Sequence, residues 1–81
     1  MKGDVKKRVG ILRGGNSENY ETSLHEGGDL ILYILEHLNN TWQPIDIFID
    51  RNEAWYVQGI LTKPAEFLQK VDVVLDTTHS N

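Results

Sequence analysis

Several residue types are scarce or absent in this 81-residue chain, and each absence removes a class of function. Cysteine is absent, which excludes a disulfide framework, a thiol nucleophile and a thiolate metal site. Basic residues are few, eight against twelve acidic ones. The resulting net charge of −4 argues against nucleic-acid or anionic-membrane partners, which favour a basic surface.

Long apolar runs and common cofactor motifs are also missing. The longest apolar run, Leu30 to Leu35, is far too short to span a bilayer, and no secretory signal precedes it. Neither G-x-G-x-x-G nor Gly-Lys-Ser/Thr occurs, and the histidines and carboxylates show no metal-ligand spacing. These absences fit a cytoplasmic protein without a bound metal.

The remaining composition is that of an ordinary globular domain. Apolar residues make up 40% of the chain and charged residues 25%, and we find no repeat or low-complexity segment. A chain of 81 residues forms at most one small domain with a modest core, so a fragment of a larger protein is plausible. We therefore treat residues 1–81 as one domain.

The first third of the chain predicts a strand, a tight turn and a helix. Val9 to Leu12 is apolar without alternation, which is typical of a parallel strand covered on both faces. Gly14 and Gly15 then mark a turn. An amphipathic helix follows, with an apolar stripe predicted at Leu24, Ile31, Leu35 and Leu38. Gly27, Gly28 and Ile34 lie on or beside this stripe, and the two glycines allow close contact with the sheet.

The rest of the chain predicts two more parallel strands, a short helix and one strand that folds back. Five segments are expected: a strand at Ile45–Asp50, a short antiparallel strand at Ala54–Val57, a loop at Gly59–Pro64, a helix at Pro64–Lys70 and a strand at Val71–Leu75. The predicted fold is α/β, half of a doubly wound, Rossmann-like parallel sheet of about three strands, with a short antiparallel hairpin strand and two helices.

In such a sheet the carboxyl ends of the first and last strands lie at one edge. Gly14 to Glu21 and Thr77 to Asn81 are therefore expected to border the same crevice, where ligands usually bind. The turn also places the N-terminus of a helix there, which favours an anionic or strongly polar ligand. Asp76 ends the last strand and can cap the turn that follows.

After a short apolar strand, the sequence has the pattern Gly14-Gly15-x-Ser17-x-x-x-Glu21-x-Ser23-Leu24. This pattern resembles the opening of D-alanine:D-alanine ligases. The segment Val71 to His79 is similar to the strand of that family that ends on its loop histidine. The resemblance covers nearly the whole chain but only the first part of such a ligase. It implies an N-terminal pre-ATP-grasp domain at residues 1–81, incomplete at its C-terminal end.

The resemblance also implies roles for individual residues. Gly14, Gly15, Ser17, Asn19, Glu21 and Ser23 match substrate-binding positions beside the first D-alanine. His79 resembles the loop histidine near the transferred phosphoryl group, where an imidazolium neutralises developing negative charge. Asn19 stands where the family usually has a glutamate that holds the substrate ammonium. Glu18 or Glu21 could supply the missing carboxylate in its place. Glu18 is assigned a catalytic role.

The implied activity is ATP-dependent joining of two D-alanines for peptidoglycan, with ATP and Mg²⁺ held by other ATP-grasp domains of the parent protein. This chain alone is expected to bind no cofactor and to be inactive. Its expected partners are D-alanine and the remaining domains, and homodimer formation is left open. Two alternatives need no catalysis: a stand-alone module that binds a small ligand, and a fragment whose exposed sheet edge pairs with its parent or with a copy of itself.

Overall fold

The computed structural model describes residues 6–78, which form one five-stranded sheet and two helices. The elements in chain order are β1 (Lys7–Gly14), α1 (Tyr20–His37), β2 (Trp42–Ile49), β3 (Trp55–Val57), β4 (Ile60–Leu61), α2 (Pro64–Leu68) and β5 (Val73–Asp76). The order of strands across the sheet is β4-β3-β2-β1-β5.

Strand β1 has a neighbour on each side and is buried on both faces. It pairs in parallel with β2 from Lys7↔Trp42 to Gly14↔Ile49, and in parallel with β5 from Val9↔Val73 to Leu12↔Asp76. The four residues from Val9 to Leu12 are all buried. This double burial explains why its sequence is continuously apolar instead of alternating.

The predicted fold class is wrong: the sheet is mixed and is not half of a doubly wound parallel sheet. Strand β3 runs antiparallel to β2, and β4 runs antiparallel to β3, so two of the four strand pairings are antiparallel. The segment predicted as a loop contains β4. Strand β4 forms because a two-residue turn at Gln58 and Gly59 folds the chain back as a hairpin. The φ angles of these two residues, 50° and 87°, are positive, which suits the tight connection of a hairpin.

Helix α1 buries part of the predicted stripe, at Gly27 and Ile34, but leaves the predicted positions Leu35 and Leu38 exposed. Its buried residues are Ser23, Gly27 and Ile34, whereas Leu35 and Leu38 are 48% and 40% exposed. Gly27 sets this face, because a Cβ there would lie 2.6 Å from Cβ of Arg13 on β1. The prediction that the paired glycines allow close contact is confirmed for Gly27, while a Cβ on Gly28 would meet only Nη1 of Arg13, at 3.9 Å.

The sheet has an apolar cluster on each face. On one face, Ile34 of α1 packs against Val9 and Ile11 of β1. The other face carries a second buried cluster of Leu12, Ile45, Ile47, Ile49 and Phe67, against which Trp55, Val57, Val71 and Val74 pack. No helix in the described part of the chain is long and apolar enough to cross a membrane.

The face that carries α1 is incompletely covered beside β5. Val73 and Leu75 of β5 are 39% and 38% exposed, and Tyr33 of α1 and Leu38, the residue that follows α1, line the same space. The result is a groove of about 340 Å³, which we call the α1–β5 groove, lined by Val9, Leu30, Tyr33, Ile34, Leu38, Trp42, Val73 and Leu75. Every lining side chain is apolar or aromatic.

Candidate functional site

The turn at the end of β1 favours glycine at both of its first positions, and one of them also has no room for a side chain. Gly14 and Gly15 have φ angles of +100° and +94°, a conformation that side-chain-bearing residues rarely adopt. A Cβ on Gly14 would in addition collide with the carbonyl oxygen of Ile49 on β2. The amide of Gly15 donates a 2.8 Å hydrogen bond to that same oxygen, so the turn is locked against the end of β2.

Ser23 of α1 holds the glycine turn in place. Its side chain is fully buried, and its Oγ accepts a 2.8 Å hydrogen bond from the amide of Gly14. Thr77, which follows β5, lies 3.4 Å from the same hydroxyl and donates from its own Oγ1 to the carbonyl of Leu12 at 2.7 Å. The network joins α1 to the ends of β1 and β5. Ser23 thus orients the turn through its buried hydroxyl.

The polar residues between the turn and α1 form a short bridge. The Oγ of Ser17 accepts the amide of Asn19 at 3.1 Å, and the carbonyl of Asn19 accepts the amide of Ser23 at 2.8 Å. Asn19 is the residue before the first helical turn, and its side chain makes no capping hydrogen bond. Glu18 and Glu21 are both exposed. His79, the other predicted catalytic residue, lies outside the described residues.

A cavity of about 230 Å³ lies beside the glycine turn, and we call it the β1–β5 cavity. It is lined by Leu12, Gly15, Asn16, Ile49, Glu53, Trp55, Asp76 and Thr78. The residues come from the ends of β1, β2 and β5 and from the loop before β3. Of the six predicted substrate-binding residues, Gly15 alone lines this cavity. The other five do not line it, and neither does the predicted catalytic residue Glu18; those five are Gly14, Ser17, Asn19, Glu21 and Ser23.

Asp76 holds one rim of the cavity. Its Oδ1 accepts two hydrogen bonds from Thr78, from the amide at 2.8 Å and from Oγ1 at 2.6 Å. The prediction that Asp76 caps the turn after the last strand is therefore confirmed. Thr78 is 6% exposed, so this turn also closes the cavity wall.

Glu53 also lines the cavity, and it is not among the site residues predicted from the sequence. Its Oε2 accepts a 2.9 Å hydrogen bond from Nδ2 of Asn16 in the glycine turn. Its backbone has a φ of 67°, and Asp50 organises the loop by accepting the amides of Asn52 and Ala54 on Oδ1. Because Asn16 and Glu53 are 37 residues apart, no local pattern announces their contact.

A paired charge lies under α1, on the sheet face that also carries Val9 and Ile11. Arg13 donates from Nε to Oδ1 of Asp46 at 2.7 Å and from Nη2 to Oδ2 at 2.8 Å. The hydrogen bond to Asp46 raises the pKa of the Arg13 guanidinium, an effect that partial burial opposes. This two-point contact fixes the position of Arg13, over which Gly27 passes.

Comparison with known proteins does not assign the chain to a family. No protein-family model matches it, and no curated protein matches it. Among residues 6–78, no group of three or more histidine, cysteine, aspartate or glutamate side chains is arranged to hold a metal ion.

Proposed function

We propose that this chain is the N-terminal part of an ATP-dependent ligase that joins two D-alanines, and that it contributes to the pocket for the first D-alanine. The product of such a ligase is the dipeptide used for peptidoglycan, the cell-wall polymer that maintains cell shape, and the reaction belongs in the cytoplasm. The observation that carries the proposal is the position of the motif Gly14-Gly15-x-Ser17-x-x-x-Glu21-x-Ser23-Leu24. The motif forms the turn and the start of α1 beside a small cavity that is lined by apolar side chains and two carboxylates.

The cavity has dimensions and chemistry that support an amino-acid ligand. Its volume of about 230 Å³ is smaller than the pockets of roughly 300–1,000 Å³ that take drug-sized molecules. Its walls combine apolar side chains of Leu12 and Ile49 with two carboxylates. A small zwitterion with a short apolar side chain, such as D-alanine, uses both kinds of surface.

The nucleotide and metal are assigned to other parts of the parent protein. The described residues offer no cluster of metal-binding side chains, and the glycine turn lacks the spacing of a phosphate-binding loop. Phosphoryl transfer depends on cations and on precise positioning of two reactants. The role of this chain in the proposed reaction is therefore to bind and orient D-alanine. His79 is carried over from the family resemblance as a catalytic residue near the substrate carboxylate and the transferred phosphoryl group.

The proposal is tested on the protein as it occurs in its source cells. Its intact mass is measured after detection with a peptide spanning residues 8–24, and the purified protein is assayed for phosphate release from ATP with and without D-alanine. We expect a mass several times 9.3 kDa and phosphate release that depends on D-alanine. L-alanine at the same concentration is the matched control. Absence of any D-alanine-dependent phosphate release refutes the ligase function.

A second candidate is a module that pairs with a copy of itself without catalysis. The observation in its favour is the α1–β5 groove, where Val73 and Leu75 lie exposed on an edge strand. Edge strands with apolar side chains readily pair with other chains. Sedimentation equilibrium distinguishes the candidates: self-association that Leu75→Lys abolishes supports pairing, and a concentration-independent mass of 9.3 kDa excludes it.

A further inference from the structure

The α1–β5 groove is an apolar surface that the described part of the chain leaves uncovered. Four of its lining side chains are exposed, those of Tyr33, Leu38, Val73 and Leu75. Val73 and Leu75 project from the sheet on the α1 face, whereas Val74 between them packs against the cluster on the other face. Contiguous apolar surface of this kind marks a place where another protein segment packs.

The position of α1 leaves room for a second helix beside it. Helix α1 packs closely on β1 and β2, and much less on β5. Neighbouring strands are about 4.8 Å apart and packed helices about 8–10 Å apart, so the next helix in this layer belongs about two strands away from α1. That position lies over β5 and its outer edge, since β5 has a neighbour only on the β1 side in the described sheet.

A helix fits this space better than an extended strand. A strand that pairs with the outer edge of β5 lies in the plane of the sheet, whereas Val73 and Leu75 project out of that plane. Such a strand would leave both side chains uncovered. A helix over β5 instead places an apolar stripe against them and against Leu30 and Tyr33 on the side of α1.

The charges beside the groove select the polar flank of that helix. Asp29 and Glu36 are exposed and lie one helical turn on either side of Tyr33. Asp72 is exposed at the start of β5, and neither α1 nor β5 contains a lysine or an arginine. At one end of the groove, Nζ of Lys7 lies 5.9 Å from the centre of a lining tryptophan ring. The two long walls are therefore acidic, which favours a basic partner and disfavours a second copy with the same acidic walls.

We propose that the α1–β5 groove binds an amphipathic helix of a partner protein, with an apolar stripe against β5 and with lysine or arginine residues along its flanks. The partner helix lies beside α1 and covers Val73 and Leu75, so that two helices close this face of the sheet. Its binding requires neither ATP nor D-alanine, and its failure would leave the ligase proposal unaffected.

The experiment is an NMR titration of the ¹⁵N-labelled chain, followed through the indole N–H of Trp42, which lines the groove. Trp55 lines the β1–β5 cavity, so its indole signal is the internal control. The probes are three synthetic peptides of about 18 residues, long enough to form a helix. The basic peptide has leucine at helical spacing and lysine on both flanks. The acidic peptide has glutamate in place of each lysine, and the alternating peptide has the basic composition with leucine at every second position.

We expect the basic peptide to shift the Trp42 signal with saturation and to leave the Trp55 signal unchanged. The acidic peptide should bind at least roughly ten-fold more weakly, because it brings like charges to both walls. Equal binding of these two peptides, or an equal Trp42 shift with the alternating peptide, overturns the proposal. A Trp42 signal that moves with the concentration of the chain alone assigns the groove to a second copy and also overturns it.

Two substitutions on α1 test whether the peptide lies in the groove. Tyr33→Ala removes an exposed side chain that lines the groove, and Leu32→Ala removes an exposed side chain that does not. Both variants should fold, because alanine favours the helix and neither side chain is buried. Tyr33→Ala should weaken binding of the basic peptide roughly ten-fold, whereas Leu32→Ala should bind it like the original protein. Equal affinities of the two variants contradict binding in the groove.

Discussion

Replacing Gly14 with alanine should destabilise the protein by about 2–5 kcal/mol, the sum of two separate penalties. The first is conformational: a φ of +100° costs a side-chain-bearing residue about 1–2 kcal/mol. The second is steric, about 1–3 kcal/mol, because the new Cβ meets the carbonyl oxygen of Ile49, which the backbone of β2 holds rigidly. The free energy of unfolding of a domain of this size is itself only about 4–12 kcal/mol.

Two other glycine-to-alanine substitutions isolate the steric part of this penalty. Gly15→Ala has nearly the same φ, +94°, but its Cβ would lie at an ordinary 3.5 Å from Cβ of Thr78. Gly59→Ala has a φ of +87° and no atom within 4 Å. Both should therefore lose only the conformational part, about 1–2 kcal/mol. The entropic effect of alanine on the unfolded chain is common to all three variants and cancels in the comparison.

Urea unfolding followed by far-UV circular dichroism measures all three free energies. Gly14→Ala should be the least stable by a clear margin, with similar slopes against urea concentration. A Gly14→Ala protein that fails to fold fits this expectation only if Gly15→Ala folds. Equal losses in the three variants would refute the close approach of β1 and β2 at the turn.

Two further predictions concern the buried face of α1. Ser23→Ala should cost about 1–3 kcal/mol, because it leaves a buried amide of the glycine turn without an acceptor, whereas exposed Thr22→Ala should change stability little; equal urea midpoints would contradict this. Gly27→Ala should lower the thermal midpoint, because the new Cβ would meet Arg13. Gly28→Ala should raise the stability by about 0.5–1 kcal/mol through helix propensity. A higher calorimetric midpoint for Gly27→Ala than for Gly28→Ala would contradict the packing described here.

The strand and turn around the glycines could be predicted because their signals are local. A continuous apolar run followed by Gly14 and Gly15 indicates burial on both faces and a positive φ, and both signals can be read from adjacent residues in the sequence. The hairpin β3–β4 was missed for the opposite reason. Gln58 adopts a positive φ although glutamine is not a residue that favours one, so the sequence signal at Gln58-Gly59 is weak.

The buried face of α1 and the carboxylates of the cavity depend on distant parts of the chain. Leu35 and Leu38 fit a helical stripe, but the place where Gly27 can pass over Arg13 decides which face turns inward. Glu53 belongs to an ordinary turn by sequence, and only the fold brings it to Asn16. A contact that a loop residue makes with a distant part of the chain has no characteristic spacing in the sequence.

The position of β1 within the sheet has a consequence for how the chain is made. β1 leaves the ribosome before the other described strands. Its partners are β2, about 35 residues later, and β5, 64 residues later at the pairing of Val9 with Val73. During translation β1, with its buried centre, therefore remains without its second neighbour until nearly the whole described chain has emerged. Contacts so distant in sequence slow folding, and a nascent chain halted before β5 exposes an edge of β1 to chaperones and to other nascent chains.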